Sequence, residues 1–330
     1  MFHLENTPGR TTIVNGKEHL FFSGYSYLGM QYVPEFVELV KEGIDKYGWL
    51  FPSSRISNTQ LDLFAEFENK LSGITNKEES VCFSSGFTAG RAVIELLKHK
   101  TYSCAPQTHP AICLTKSNYS SFDEWQKNIG NEEVICFDGV NPLTATINNV
   151  SFLDNITSRT CVIDDSHGIG VINEGKGTSN YLSPGHQHIL TYSLSKAYNL
   201  IGGAVSCSKV FAKQLRSSPY YTASTSIAPA FAYAFINGQH LYEQQRKKLT
   251  NNISFFTEMM KDHTAYKSDL PIFVLPASIN EEKLQDEKII ISSFAYPDPK
   301  GKKINRAVLS ALHTEEDLEK LASVLKKLGN

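Results

Sequence analysis

Lys196 stands in Ser193-Leu-Ser-Lys-Ala-Tyr-Asn-Leu-Ile-Gly-Gly203, a small hydroxyl-rich turn between two apolar runs, His188–Tyr192 and Ala204–Cys207. The runs read as buried strands, which puts the lysine on a tight turn, poorly placed for solvent and well placed for chemistry. Partial burial disfavours an ammonium and favours the free amine, which can condense with an aldehyde to a Schiff base. Taken alone, the segment also fits an ordinary surface lysine on a hairpin. A second group of residues shifts the balance. Thr160-Cys-Val-Ile163 is an apolar run that ends in Asp164, Asp165 and His167. A carboxylate at the C-terminal end of a parallel strand stands where open α/β sheets bind ligands.

Asp164-x-x-His167, followed by Ser193-x-x-Lys196, resembles the cofactor site of fold-type I pyridoxal 5'-phosphate (PLP) enzymes. More narrowly it resembles the α-oxoamine synthases, which carry Asp-Asp-Ala-His-Gly and then Thr-Leu-Ser-Lys-Ala. The resemblance implies that Lys196 is the Schiff-base lysine, that Asp164 partners the pyridine nitrogen and that His167 bonds the ring oxygen. A carboxylate at that nitrogen keeps it protonated, which makes the ring an electron sink. Asp165 is expected to face away, because successive residues at a strand end point to opposite sides.

The positioning elements can be traced along the chain. Ser80-Val-Cys-Phe-Ser-Ser-Gly-Phe-Thr-Ala-Gly90 predicts a strand, a Ser-Gly turn and a helix start running on to Lys98. Helix starts present unpaired backbone N–H groups that suit a phosphate. The family's Ser-Gly-Phe-x-Ala matches here, which implies Ser85, Gly86 and Phe87 on the phosphate side. After a short strand at Thr101–Ala105, His109 falls at the family's ring-stacking histidine. Glu133-Val-Ile-Cys-Phe-Asp138 resembles the strand that ends in a glutamate in the family, with Asp138 in its place, one methylene shorter. Tyr221-Thr-Ala-Ser-Thr-Ser226 resembles a stretch whose hydroxyl reaches the phosphate of the neighbouring protomer. The resemblance therefore implies Thr225 and Ser226 as phosphate ligands and a homodimer with shared active sites.

Two residues are assigned to the substrate by the same resemblance. Tyr25 takes the place of an asparagine lining the substrate end of the site, and Arg306 matches an arginine that grips the amino-acid carboxylate. The chain also departs from the family. Leu50 and Ser53 replace glycines in the Gly48–Asn58 loop, Phe64 stands where a histidine is usual, and Asn141-Pro142 replaces an aromatic-serine step. Gly168-Ile-Gly170-Val-Ile-Asn173 mimics a dinucleotide fingerprint, but it lacks the last glycine and no helix pattern follows, so that reading is rejected.

Composition sets the remaining bounds. The 330 residues are 41% hydrophobic and 20% charged, enough for a substantial core. A formal charge of −2 gives no general reason to bind nucleic acid or membranes. No apolar stretch approaches the roughly 18 residues of a membrane helix, and the start has no signal-peptide layout. None of the six cysteines forms a C-x-x-C pair, and most lie in apolar runs, which fits reduced thiols in a cytoplasmic protein and no metal site.

The fold expected is α/β: a mainly parallel seven-stranded sheet between helices, with a smaller α+β C-terminal domain. Residues 1–30 read as an arm, 31–240 as the large PLP-binding domain and 241–330 as the small domain. A helix over Pro34–Tyr47 and a long one from Ala228 to about Lys261 follow from apolar periodicity. The activity implied is condensation of an amino acid with an acyl thioester, with loss of carbon dioxide. Aminotransfer at the same site, or cofactor binding without catalysis, remain as alternatives.

Overall fold

The computed structural model describes residues 2–263, 268–279, 281–296 and 300–329. Its contacts divide the chain into two units. The larger comprises Val33–Asn141 and Ile147–Leu241; the smaller comprises Met1–Tyr32, Pro142–Thr146 and Tyr242–Asn330.

The larger unit is built on a six-stranded sheet. Its spatial order is Glu79–Phe83, Gly203–Cys207, Gln187–Ser193, Thr160–Asp164, Val134–Asp138 and Tyr102–Cys104. Gly203–Cys207 runs against both of its neighbours, and the other strands are mutually parallel. The strands are near-continuous apolar runs because both faces are covered, as parallel sheets require. Helix Gly86–Leu97 lays Ala89, Ala92, Val93 and Ile94 on a core shared with Val81, Val134, Val162, Ile189 and Val205. Each buried Val or Ile contributes about 1.5–3 kcal/mol.

The seventh strand expected from sequence is absent among the described residues. Between Tyr102–Cys104 and Val134–Asp138 the chain forms one short helix, Phe122–Lys127, and no strand. The intervening Thr115-Lys-Ser-Asn-Tyr-Ser-Ser121 has no apolar alternation with which to extend a sheet edge. Helix Pro34–Tyr47 matches its expected bounds, and Gly43 lies against the Ala230 backbone, where a Cβ would come within 2.8 Å. The long helix expected from Ala228 is two, Pro229–Asn237 and Gln239–Met259. They part at Gly238, where a Cβ would stand 2.8 Å from the Ala234 oxygen and 3.0 Å from the Phe36 ring.

The smaller unit has a five-stranded sheet in the order Thr11–Val14, Lys17–Phe22, Ile289–Phe294, Ile304–Val308, Ile272–Val274. Its first two strands form a hairpin around Asn15-Gly16, both at positive φ as a two-residue turn of this kind demands. Helix Glu315–Gly329 starts from a reciprocal cap: the Asp317 amide donates to Thr314 Oγ1, and the Thr314 amide donates to Asp317 Oδ2. All six cysteines are free thiols. Among the described residues no helix is long and apolar enough to cross a membrane.

Candidate active site

The mutually parallel strands of the larger unit end on one edge of the sheet, and each end is followed by residues singled out from sequence. Phe83 leads to Ser85-Gly86-Phe87, Cys104 to His109, Asp164 to His167, and Ser193 to Lys196, while Asp138 is itself a strand end. One edge of one sheet thus gathers nearly all the candidate chemistry.

Lys196 Nζ and His167 Nε2 share a hydrogen bond of 2.7 Å. The turn that carries it is closed by the Leu194 amide on Gly202 O and the Leu200 amide on Leu194 O, both at 3.0 Å. Asn199 takes a left-handed φ of 54° and donates its side-chain amide to Lys196 O at 2.8 Å, which fixes the backbone under the lysine. Asp164 Oδ1 accepts the Ser166 amide at 2.9 Å, and its Oδ2 lies 3.5 Å from His109 Nδ1. That ring nitrogen accepts the Ala111 amide at 3.2 Å, so the neutral ring carries its proton on Nε2. Burial lowers the His109 pKa against the pull of Asp164, and the imidazole is held neutral. The His109 amide in turn donates to Asp138 Oδ1 at 2.9 Å. Burial first, and then the Asp164 charge, push the Asp138 carboxyl well above its ordinary range.

Asp165 faces the other way, as strand alternation requires. It is fully buried, its Oδ2 accepts the Thr178 amide at 2.9 Å, and burial raises its pKa to about 8. A Cβ at Gly168 would fall 2.1 Å from its Oδ1, and one at Gly177 1.9 Å from its Oδ2. Gly168, the first glycine of the rejected dinucleotide mimic, and Gly177 beyond it leave room for this carboxyl.

The helix start at Ser85 has the shape of an anion seat. Ser85 Oγ accepts the Thr88 amide at 3.0 Å, and the first intrahelical bond runs from Ala89 N to Ser85 O. The amides of Gly86 and Phe87 therefore lie outside the helical ladder. Gly86 and Gly203 have no room for a side chain. A Cβ on Gly86 would meet Ser193 at 2.8 Å, and one on Gly203 would meet the Gly86 nitrogen at 2.3 Å. The helix end is thus seated on the strand next to the lysine turn. Around it lie further hydroxyls; of these the sequence reading singled out Ser85 and Ser193 and passed over Ser84, Thr88, Ser195 and Ser224. Ser85 Oγ and Thr88 Oγ1 are 2.8 Å apart, Ser224 Oγ donates to Ser84 Oγ at 3.2 Å, and Ser193 and Ser195 share a 2.8 Å bond. Ser166, alanine in the family motif, was missed as well; its Oγ accepts the Ser193 amide at 2.9 Å and ties the His167 turn to the lysine turn.

The remaining candidates stand differently. Ser226 Oγ accepts a bond from Arg55 Nη1 at 3.0 Å, while Thr225 is exposed. Arg55 is buried against Phe64 and pairs with Glu68 at 3.2 Å. Leu50 and Ser53 take none of the left-handed conformations that glycine would permit, so the altered loop is unstrained at those positions. Tyr25 and Arg306 belong to the smaller unit, where Tyr25 is half exposed. Arg306 donates to Pro142 O at 3.1 Å, lies over the Phe294 ring, and has its pKa lowered by burial.

The donor set fits PLP. An amine answers an aldehyde, a strand-end carboxylate a pyridine nitrogen, an imidazole a ring hydroxyl, and a glycine-cradled helix start a phosphate. Comparison with known proteins agrees. The 8-amino-7-oxononanoate synthase of Thermoanaerobacter pseudethanolicus is 27% identical over 364 aligned positions, spanning 99% of this chain and 91% of that protein. Among solved structures, the serine palmitoyltransferase of S. paucimobilis with bound PLP superposes with a TM-score of 0.83 at 18% identity, over 100% of this chain and 92% of that one. The 8-amino-7-oxononanoate synthase of Francisella tularensis gives 0.77 at 24% identity, over 94% and 97%. These structures share the fold. The family described as aminotransferase class I and II matches residues 120–325, well over half of the sequence, and the chain belongs to that family of PLP-dependent transferases.

Proposed function

We propose that the protein is an acyltransferase of the α-oxoamine synthase type, similar to 8-amino-7-oxononanoate synthase, which joins an amino acid to an acyl-CoA thioester with loss of carbon dioxide. The observation that carries the reading is the Lys196–His167 contact at the sheet edge that also holds Asp164 and the Ser85 helix start. Relatives bearing the name 8-amino-7-oxononanoate synthase align over nearly the whole chain, which favours this reaction over aminotransfer.

PLP bound here supplies an electron sink for a carbanion at the substrate Cα. Asp164 would hold a proton on the pyridine nitrogen, with the Ser166 amide fixing the carboxylate's orientation. The hydrogen bond between His167 and Lys196 sets the direction of the amine. His109, neutral with Nε2–H, offers a flat face for stacking and a proton for relay. The Gly86 and Phe87 amides, with Ser85 and Ser193, would receive the phosphate, and Arg306 the substrate carboxylate. Tyr25 would line the substrate pocket.

A homodimer is part of the proposal, with Thr225 or Ser226 serving the partner's phosphate. Exposed apolar side chains on the larger unit support it: Trp49, Leu50, Ile56, Phe87 and Ile201 are each more than half exposed. Free thiols fit a cytoplasmic enzyme. The test is to incubate the PLP-loaded protein with amino acids and acyl-CoA thioesters, following free thiol and carbon dioxide together. Joint release supports condensation. Amine transfer to a keto acid without thiol release would replace it with aminotransfer.

A further inference from the structure

Between helices Pro219–Thr222 and Pro229–Asn237 the chain carries Ser224, Thr225 and Ser226 in neither helix nor strand. The Gly48–Asn58 loop supports this segment from outside. Ser54 Oγ donates to Thr222 O at 2.8 Å, and Arg55 Nη1 donates to Ser226 Oγ at 3.0 Å. The guanidinium is itself held by three neighbours. Its Nη2 donates to Glu68 Oε1 at 3.2 Å, and its carbon lies 4.4 Å from the centre of the Phe64 ring and 5.2 Å from that of Tyr221. Each side chain of the Arg55–Glu68 pair is only 7% exposed, so the pair is built into the core rather than laid on the surface. Glu68 also accepts the Cys82 amide at 3.0 Å, in the strand that leads to the Ser85 helix start. One carboxylate thus ties the hydroxyl-bearing segment, through Arg55, to the strand that ends at the phosphate seat.

We propose that Arg55 is a positioning residue: anchored on Glu68, it sets the Ser226 hydroxyl to donate to the PLP phosphate in the site of a second copy of the chain. The proposal rests on the reading above, in which PLP is the cofactor and the hydroxyls of residues 225 and 226 serve a partner's phosphate. A serine hydroxyl has one proton to give and two lone pairs with which to receive. A phosphate dianion only accepts, so the hydroxyl is useful to it only with its proton free. Arginine has no acceptor, and by occupying a lone pair of Ser226 it leaves that proton to be donated elsewhere. A charged donor on the oxygen also polarises the O–H and strengthens the bond it gives. Lysine is no substitute. The two contacts use separate arms of one planar fork, whereas an ammonium is a single point on a flexible stem. Phe64, which stands where the family has a histidine, supplies a π-face for the guanidinium.

The test is an absorbance titration of the full chain, freed of cofactor, with PLP and separately with pyridoxal, which lacks the phosphate. Arg55→Lys keeps a charge for Glu68 and gives up the second arm. It should bind PLP about tenfold more weakly, the loss of one charge-assisted hydrogen bond, and bind pyridoxal as the parent does. Ser226→Ala should show the same split, and Arg55→Lys should add nothing to it in the double variant. The fold should persist, since Glu68 keeps Arg216 Nη2 at 3.0 Å and the Cys82 amide. Arg55→Met, which retains the stem against Phe64, is the second variant and should give the same loss. Equal weakening of PLP and pyridoxal by the Arg55 variants would mean a general loosening and overturn the proposal. Weakening of PLP by Ser226→Ala but by neither Arg55 variant would overturn it too, leaving Ser226 as a phosphate ligand on its own. If Ser226→Ala binds PLP like the parent, the cofactor reading survives, but the role of this hydroxyl falls and that of Arg55 with it.

Discussion

Gly203→Ala is the substitution that most directly tests how the phosphate side is built. The new Cβ would stand 2.3 Å from the Gly86 nitrogen and 2.4 Å from the Ser85 carbonyl carbon and oxygen, all backbone atoms that cannot rotate away. Ordinary contact begins at 3.4 Å, so relief requires the helix start to move by about 1 Å. Overpacking of this kind costs about 1–3 kcal/mol, against a total stability of roughly 5–15 kcal/mol, and the chain should stay folded. A displacement of about 1 Å is enough to break a charge-assisted hydrogen bond from the Gly86 or Phe87 amide, each contributing about 1.5–3 kcal/mol. At about 1.4 kcal/mol per factor of ten, PLP should bind about ten- to a hundredfold more weakly. The assay is an absorbance titration of cofactor-free protein with PLP, alongside a thermal melt. Gly73→Ala is the control, because a Cβ there meets nothing within 4 Å and sits in helix Asp62–Thr75. It should leave PLP affinity unchanged and add about 0.5–1 kcal/mol of stability. A Gly203→Ala variant that melts early yet binds PLP like the parent would refute the placement of the phosphate at this helix start.

Borohydride reduction of the PLP-loaded protein should leave a pyridoxyl group on Lys196 in a peptide map; a label on another lysine would sink that assignment. Ser166→Ala removes the acceptor of the Ser193 amide and should cost about 1 kcal/mol in a denaturant titration, with a change in the cofactor's visible absorbance as the lysine turn loosens. Asp165 keeps a proton in the folded chain up to about pH 8, whereas the unfolded chain releases it near the ordinary carboxylate pKa. Its contribution to stability is therefore full below about pH 4, declines as pH rises through the window to about 8, and is level beyond. Asp165→Asn should lose that slope in melts across pH, and an unchanged slope would mean the carboxyl is not protonated. Mixing inactive Lys196→Ala with inactive Thr225→Arg should restore some activity if the sites are shared; a fully active monomer in ultracentrifugation would rule sharing out.

Residues close in sequence were the ones that could be read. Lys196 and Asp164 announce themselves because an apolar run, cut short by polar or small residues, marks a strand end wherever it occurs. The hydroxyl bond between Ser84 and Ser224 spans 140 positions, and no local pattern connects them. Gly168 and Gly170 mimic a motif that the sequence rejects, but glycine spacing alone does not tell that a side chain at Gly168 would collide with Asp165. The seventh strand was expected from the architecture as a whole and tied to no particular residues, and the polar stretch before Phe122 forms none. Gly238 is one glycine in an otherwise helical pattern, and the close approach of the Ala234 oxygen and the Phe36 ring that it permits is not legible in the sequence.

Tyr102–Cys104, three residues long, is one border of the sheet, bonded on one side only, to Val134–Asp138. Border strands open at lower free energy than central ones, so protection of backbone amides from solvent exchange declines across the sheet toward Tyr102. His109 hangs from that yielding border, whereas Lys196 hangs from a strand flanked on both sides. The two halves of the site therefore differ in the energy needed to expose them.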